Sequence, residues 1–211
     1  MISSTRLGFT HKFVESKDGN DMVLFLLHGT GGTEDDLIPL AKEINNSAAL
    51  LSPRGKILEN GAPRFFRRLA EGVFDIDDLK FRASELSDFI EKASDFYKFD
   101  LQRVVAIGYS NGANMAATLL LLRPKVITTA ILFRPMVPLV PDTLPDLSNK
   151  NIFVSGGLYD PIVPNENTER LAKLFKKCGA NTLVHWENSG HELRSEEVVD
   201  ARNWLSNLKQ V

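Results

Sequence analysis

The sequence predicts an α/β fold: a mostly parallel central sheet with helices on both faces and no large lid domain. Three observations predict it. Short apolar, β-branched runs alternate with longer segments of helical periodicity, the pattern of parallel strands joined by crossover helices. Runs such as Met22 to Leu27 are apolar throughout, as a strand covered on both faces must be. The run from Val104 enters Gly108-Tyr109-Ser110-Asn111-Gly112, and small residues then open an apolar stretch ending near Leu122, which reads as strand, tight turn and helix.

Taken in order, Phe9 to Glu15 is predicted as a short first strand and Met22 to Leu27 as a buried one ending at His28-Gly29. A helix is expected over Asp36 to Ile44, with polar cap candidates in Thr33 to Asp36. Ala48 to Leu51 reads as a strand stopped by Ser52-Pro53. Pro53 to Asp75 lacks clean periodicity and is expected to be an irregular functional loop. Leu79, Ala83, Leu86, Ile90, Ala93 and Tyr97 step by fours and threes, which predicts an amphipathic helix over Asp77 to Tyr97. After the Ser110 turn come a strand at Thr128 to Phe133, a proline-rich loop at Arg134 to Asn149 and a strand at Ile152 to Ser155. A helix at Asn165 to Cys178 and a strand at Thr182 to Trp186 follow. The last helix, Ser195 to Leu208, is expected to place Val198, Val199, Ala201, Trp204, Leu205 and Leu208 on one broad face.

The 211 residues suit a single domain, residues 1–211. A net charge of -2, from 25 Lys and Arg against 27 Asp and Glu, gives no long-range pull toward nucleic acid or an anionic membrane. Met1 to Phe13 lacks the apolar core of a signal peptide, and no stretch is long enough to span a bilayer, so a cytoplasmic location without membrane insertion is expected. Cys178 stands alone, which excludes an internal disulfide, and it reads as a packed or surface thiol rather than a nucleophile.

The loops at the carboxyl ends of the strands carry the chemistry. A tight strand-to-helix turn exposes its serine hydroxyl, and Gly108 and Gly112 keep the crossing free of side chains, so Ser110 is the candidate nucleophile. A serine needs a base oriented by a carboxylate. Of the four histidines, His11 and His185 lie in strand patterns and His28 reads as a brace for its glycine-rich loop. His191, in the loop after Ser189-Gly190, is the candidate base. The acids available between them are Asp142, Asp146, Asp160, Glu166, Glu169 and Glu187. Asp160 fits best, because it follows a strand through Gly-Gly-Leu-Tyr and is fixed by Pro161, with Glu187 the main competitor. An oxyanion needs backbone donors; Asn111 supplies one by position and Thr30, within His28-Gly29-Thr30-Gly31-Gly32, the other. That loop lacks the spacing of a phosphate-binding motif.

Leu27-His28-Gly29-x-Gly31, Gly108-Tyr109-Ser110-Asn111-Gly112, Gly156-x-x-Asp160-Pro161-Ile162-Val163-Pro164 and Gly190-His191 together resemble, in order, the phospholipase/carboxylesterase group of the α/β-hydrolase fold. The resemblance spans about residues 22 to 208. It implies hydrolysis of carboxylic or thioester bonds, with Ser110 as nucleophile, Asp160 as orienting acid and His191 as general base. Arg64 to Gly72 looks most like a bacterial branch of small carboxylesterases, some associated with hydroquinone stress.

Phe65 and Phe66, with Arg64, Arg67 and Arg68, form either an apolar pocket wall with a cationic rim or a packing segment. Met136, Val137 and Leu139 either line an acyl cleft or cover the sheet. The expectation is a carboxylesterase for small or short-to-medium acyl esters, with no metal or organic cofactor, a small-molecule ester as partner and a homodimer allowed. An acyl thioesterase or lysophospholipase using the same triad is the alternative. A non-catalytic binding homologue would be favoured by a missing triad member, and all three are present.

Overall fold

The computed structural model describes residue 5 and residues 7–208, so the N-terminal reading over residues 1–4 and 6 lies outside the described residues. The chain runs β1 (His11–Val14), β2 (Val23–Leu27), α1 (Ile38–Ile44), β3 (Ala49–Pro53), then the small strands β4 (Ile57–Glu59), β5 (Ala62–Arg64), β6 (Arg68–Ala70) and β7 (Val73–Phe74). It continues α2 (Ile76–Tyr97), β8 (Val104–Tyr109), α3 (Asn111–Leu122), β9 (Thr129–Phe133), β10 (Asn151–Gly157), α4 (Asn165–Lys177), β11 (Asn181–Glu187) and α5 (Ser195–Asn207). Among the described residues no helix is long and apolar enough to cross a membrane.

Seven strands form one sheet in the order β1-β3-β2-β8-β9-β10-β11, and only β1 runs antiparallel to its neighbour. Side chains alternate between two cores. Val23, Phe25, Val104, Ala106 and Val154 pack under α2, α3 and α4, while Leu24, Leu26, Val105, Ile107 and Phe153 pack under α1 and α5. With helices on both faces, β2 and β9 are buried at every position, which is why their sequences show no polar alternation. In α3, Asn111 through Leu121 are buried all round; α4 instead turns Thr168, Leu171, Ala172, Leu174 and Phe175 inward and its lysines outward. The Asp75 carboxylate caps α2 by accepting the Asp78 amide.

Four expectations need correction. β3 continues through Ser52-Pro53 rather than stopping there; beyond Leu51 it pairs only with β1, so the missing proline N–H is tolerated at the strand end. Residues 53–75 are not an irregular loop but carry two small antiparallel hairpins, β4-β5 and β6-β7, too short for their periodicity to register. α1 begins at Ile38, because the Asp36 and Ile38 amides bond to Thr33 and Asp35 in tight turns. Val199 on α5 is 39% exposed, whereas Val198, Ala201 and Leu205 hold the inward face.

The sheet order reverses between β2 and β8, since β3 lies on one side of that pair and β9 on the other. Such a switch point leaves a crevice beyond the carboxyl ends of the strands, because the connecting helices depart to opposite faces. Thr30 follows β2, Ser110 follows β8, Asp160 follows β10 and His191 follows β11, so the sheet gathers all of them at one end.

Candidate active site

Ser110 occupies the single step between β8 and α3 and is held at φ 51°, ψ -112°, a left-handed conformation rarely adopted by a residue with a Cβ. Its amide donates to the Phe133 carbonyl at 2.9 Å and its carbonyl accepts the Asn114 amide at 3.0 Å, so neighbours on both sides fix the strained turn. The crossing needs glycines because of close approach. A Cβ on Gly112 would stand 2.0 Å from the Leu27 carbonyl oxygen, and one on Gly108 would stand 2.6 Å from Cα of Ala113.

Three side chains from three loops then meet. His191 Nε2 lies 2.9 Å from Ser110 Oγ, and His191 Nδ1 lies 2.7 Å from Asp160 Oδ2. The other carboxylate oxygen accepts the backbone N–H groups of Ile162 at 2.8 Å and Val163 at 2.9 Å. The Asp160 side chain is fully buried while that of His191 stays 17% exposed toward the crevice. With Asp160 accepting from Nδ1–H, Nε2 is left with a lone pair aimed at the serine hydroxyl. Glu187, the competing acid, turns to His185 and the Asn188 amide; Asp146 receives the Ser148 amide and Glu169 pairs with Lys173.

Asn111 opens α3, where the first amides have no intrahelical acceptor. Among the described residues neither the Asn111 nor the Thr30 amide donates to a protein acceptor. Both are therefore available to a developing negative charge. His28 braces the loop before Thr30: its Nδ1–H donates to the Gly29 carbonyl at 2.7 Å and Nε2 accepts the Gly55 amide at 2.9 Å. Burial pushes the His28 pKa down and keeps the ring neutral, which suits that donor and acceptor pattern.

Arg64 does not contribute a cationic rim. It is 3% exposed and donates to Thr30 Oγ1 at 2.7 Å and to the Phe66 carbonyl at 3.3 Å, with Glu59 as counter-ion. Burial, followed by the neighbouring Arg68, pushes its pKa down. Phe65 and Phe66 are likewise buried, Phe65 against the His28 ring and Phe66 against Phe74, so they pack the hairpin segment onto the core rather than presenting a wall. Asn111 Oδ1 accepts the Phe65 amide at 2.8 Å, and Asn114 Oδ1 accepts that of Met136 at 2.7 Å. Met136 and Leu139 are half-buried.

Sequence reasoning missed the groups that hold the His191 loop. Tyr109 donates its hydroxyl to the His191 carbonyl at 3.1 Å, and burial pushes its phenol pKa up, keeping it a donor. Arg134 and Glu197, both fully buried, form an ion pair beneath the same loop. The available signal was a lone arginine ending an otherwise apolar strand run at Phe133-Arg134.

The sequence profile of the phospholipase/carboxylesterase family matches residues 10–209. The chain belongs to that family. The MhqD protein of Bacillus subtilis is 47% identical over 193 residues, covering 92% of this chain and 96% of that protein. The crystal structure of the Bacillus cereus carboxylesterase superposes with a TM-score of 0.92 at 48% identity, covering 94% of this chain and 93% of that one. Acyl-protein thioesterase 1 of Candida albicans is more distant, 24% identical with 88% of this chain covered and 91% of that protein. Membership in the phospholipase/carboxylesterase family makes the chain a carboxylesterase-like hydrolase of α/β-hydrolase fold.

Proposed function

We propose that the protein is a serine carboxylesterase that hydrolyses small or short-to-medium acyl esters through an acyl-enzyme. The observation that carries this reading is the continuous chain of hydrogen bonds from Asp160 through His191 to Ser110, at 2.7 and 2.9 Å. A serine hydroxyl is too weak an acid to attack an ester alone, and this chain supplies the base, its tautomer and its orientation. Ser110 Oγ attacks the acyl carbon as Nε2 takes its proton. The Thr30 and Asn111 amides receive the negative oxygen, and the returning C=O expels the alcohol, which takes the proton from His191. Water then attacks the acyl-serine with His191 again as base, and the carboxylic acid leaves as Ser110 regains its proton.

Met136 and Leu139 are assigned to the acyl side of the crevice, because the Asn114 bond ties Met136 one helical turn from Ser110. Exposed Leu158 and Ile162 flank the Asp160 turn and add apolar rim to the crevice. The small-molecule ester is the partner this crevice suits.

The test is hydrolysis of p-nitrophenyl acetate and labelling by a fluorophosphonate. Ser110→Ala is expected to abolish both while leaving the melting temperature of the parent; undiminished hydrolysis by that variant overturns the reading. An acyl-length series with matched thioesters then separates an esterase from an acyl thioesterase or lysophospholipase, which share the acylation step.

A further inference from the structure

We infer that Arg134 is a positioning residue for the reaction, clamping the backbone on both sides of His191 so that its imidazole stays in line with Ser110; the inference rests on the serine-hydrolase reading above. Arg134 directly follows β9 as Ser110 directly follows β8, and it too is held at a positive φ, 56°. Its amide donates to the Ser155 carbonyl at 2.8 Å, which fixes this left-handed residue between β9 and β10. From there the guanidinium points beneath the loop that carries His191.

All three nitrogens of the guanidinium donate. Nε donates to the Gly190 carbonyl at 3.0 Å and Nη2 to the Glu192 carbonyl at 2.9 Å and to Ser189 Oγ at 2.9 Å. The two terminal nitrogens take the Glu197 carboxylate as a pair, both at 2.7 Å, and Nη1 also reaches Ser155 Oγ at 3.1 Å. Glu197, in the first turn of α5, in turn accepts the Arg194 amide at 2.8 Å. The remaining carbonyl of the run, that of His191 itself, accepts the Tyr109 hydroxyl. The carbonyls of residues 190, 191 and 192 are thus all held by side chains that leave the sheet beside the nucleophile.

This is more than packing requires. A buried ion pair contributes little net stability, because removing both charges from water offsets their attraction, and apolar residues of similar size commonly serve as well. What apolar residues cannot do is aim donors at two carbonyls on either side of one catalytic ring. Residues 188–194 have no regular structure, and a further backbone tie at their start is the Tyr159 amide to the Ser189 carbonyl at 3.0 Å. Lysine cannot replace the clamp, since its ammonium lacks the planar fork that reaches Glu197 and Gly190 together.

The experiment compares Arg134→Lys, the charge-free pair Arg134→Met/Glu197→Leu, and Tyr109→Phe, which sits outside the ion pair and keeps the ring. For each, kcat and KM on p-nitrophenyl acetate, the melting temperature and the downfield proton resonance of the His191–Asp160 hydrogen bond are measured. The two Arg134 variants are expected to lose about tenfold to a hundredfold in kcat at unchanged KM, and Tyr109→Phe a few-fold, as small displacements of a catalytic group do. The resonance should broaden or vanish in step with kcat, even where the melting temperature is retained. Folded Arg134 variants with parental kcat and an intact resonance overturn the inference, and if neither folds, a parental kcat and resonance in Tyr109→Phe overturn it. Hydrolysis surviving in Ser110→Ala overturns the serine-hydrolase reading instead, and the resonance, which requires no turnover, still reports whether the clamp holds His191.

Discussion

Asp160→Asn should abolish most turnover while preserving the fold, and the reason lies in which oxygen does what. Asp160 Oδ1 accepts two backbone amides, from Ile162 and Val163, while Oδ2 faces His191 Nδ1. An asparagine in that buried slot keeps its carbonyl oxygen toward the two amides, because an NH2 group there would oppose two donors. Its NH2 then faces Nδ1, which must give up its proton and become an acceptor. The proton moves to Nε2, and the nitrogen that should deprotonate Ser110 becomes a donor to it. The shape of the site survives and the base is lost. The same tautomer change in serine proteases lowers kcat by about 10⁴, and a loss of that size is expected here. That corresponds to roughly 5 kcal/mol of transition-state stabilisation. The assay is kcat on p-nitrophenyl acetate beside a thermal melt. An Asn variant that melts like the parent and keeps its kcat would refute the tautomer argument.

Gly112→Ala places a methyl 2.0 Å from the Leu27 carbonyl oxygen, so α3 must retreat from β2. We expect a cost of about 3 kcal/mol, the upper end for overpacking. For a chain of this size that corresponds to a fall of roughly 6–12 °C in melting temperature. An unshifted melt would show that the crossing has slack. His28 is held neutral by burial, with its pKa below the ordinary value. The unfolded chain therefore takes up a proton that the folded chain refuses as the pH falls below about 6.5, and stability declines through that window. Denaturant unfolding at pH 7.5 and 5.5 should show a smaller loss in His28→Gln than in the parent; equal losses would remove His28 from the balance.

The positions of the strands and helices could be read locally because burial on both faces demands continuous apolar runs, as in β2 and β9, and because α2 repeats its apolar residues at helical spacing. The hairpins at residues 57–74 could not, since strands of two or three residues carry no period, and their aromatic residues look the same whether they line a pocket or fill a core. Only burial distinguishes the two, and Phe65 and Phe66 are core.

The sequence by itself determined the candidate triad and the candidate oxyanion donors, because each follows its own strand and a parallel sheet brings all its carboxyl ends to one edge. What only the tertiary structure decided is how those groups are held. Tyr109, Arg134 and Glu197 act across 82, 55 or more, and 63 positions of chain, through contacts that exist only after β8, β9, β11 and α5 have assembled. Local pattern records what a residue's neighbours require of it; a hydrogen bond between distant loops leaves no such record until the sheet has closed the distance.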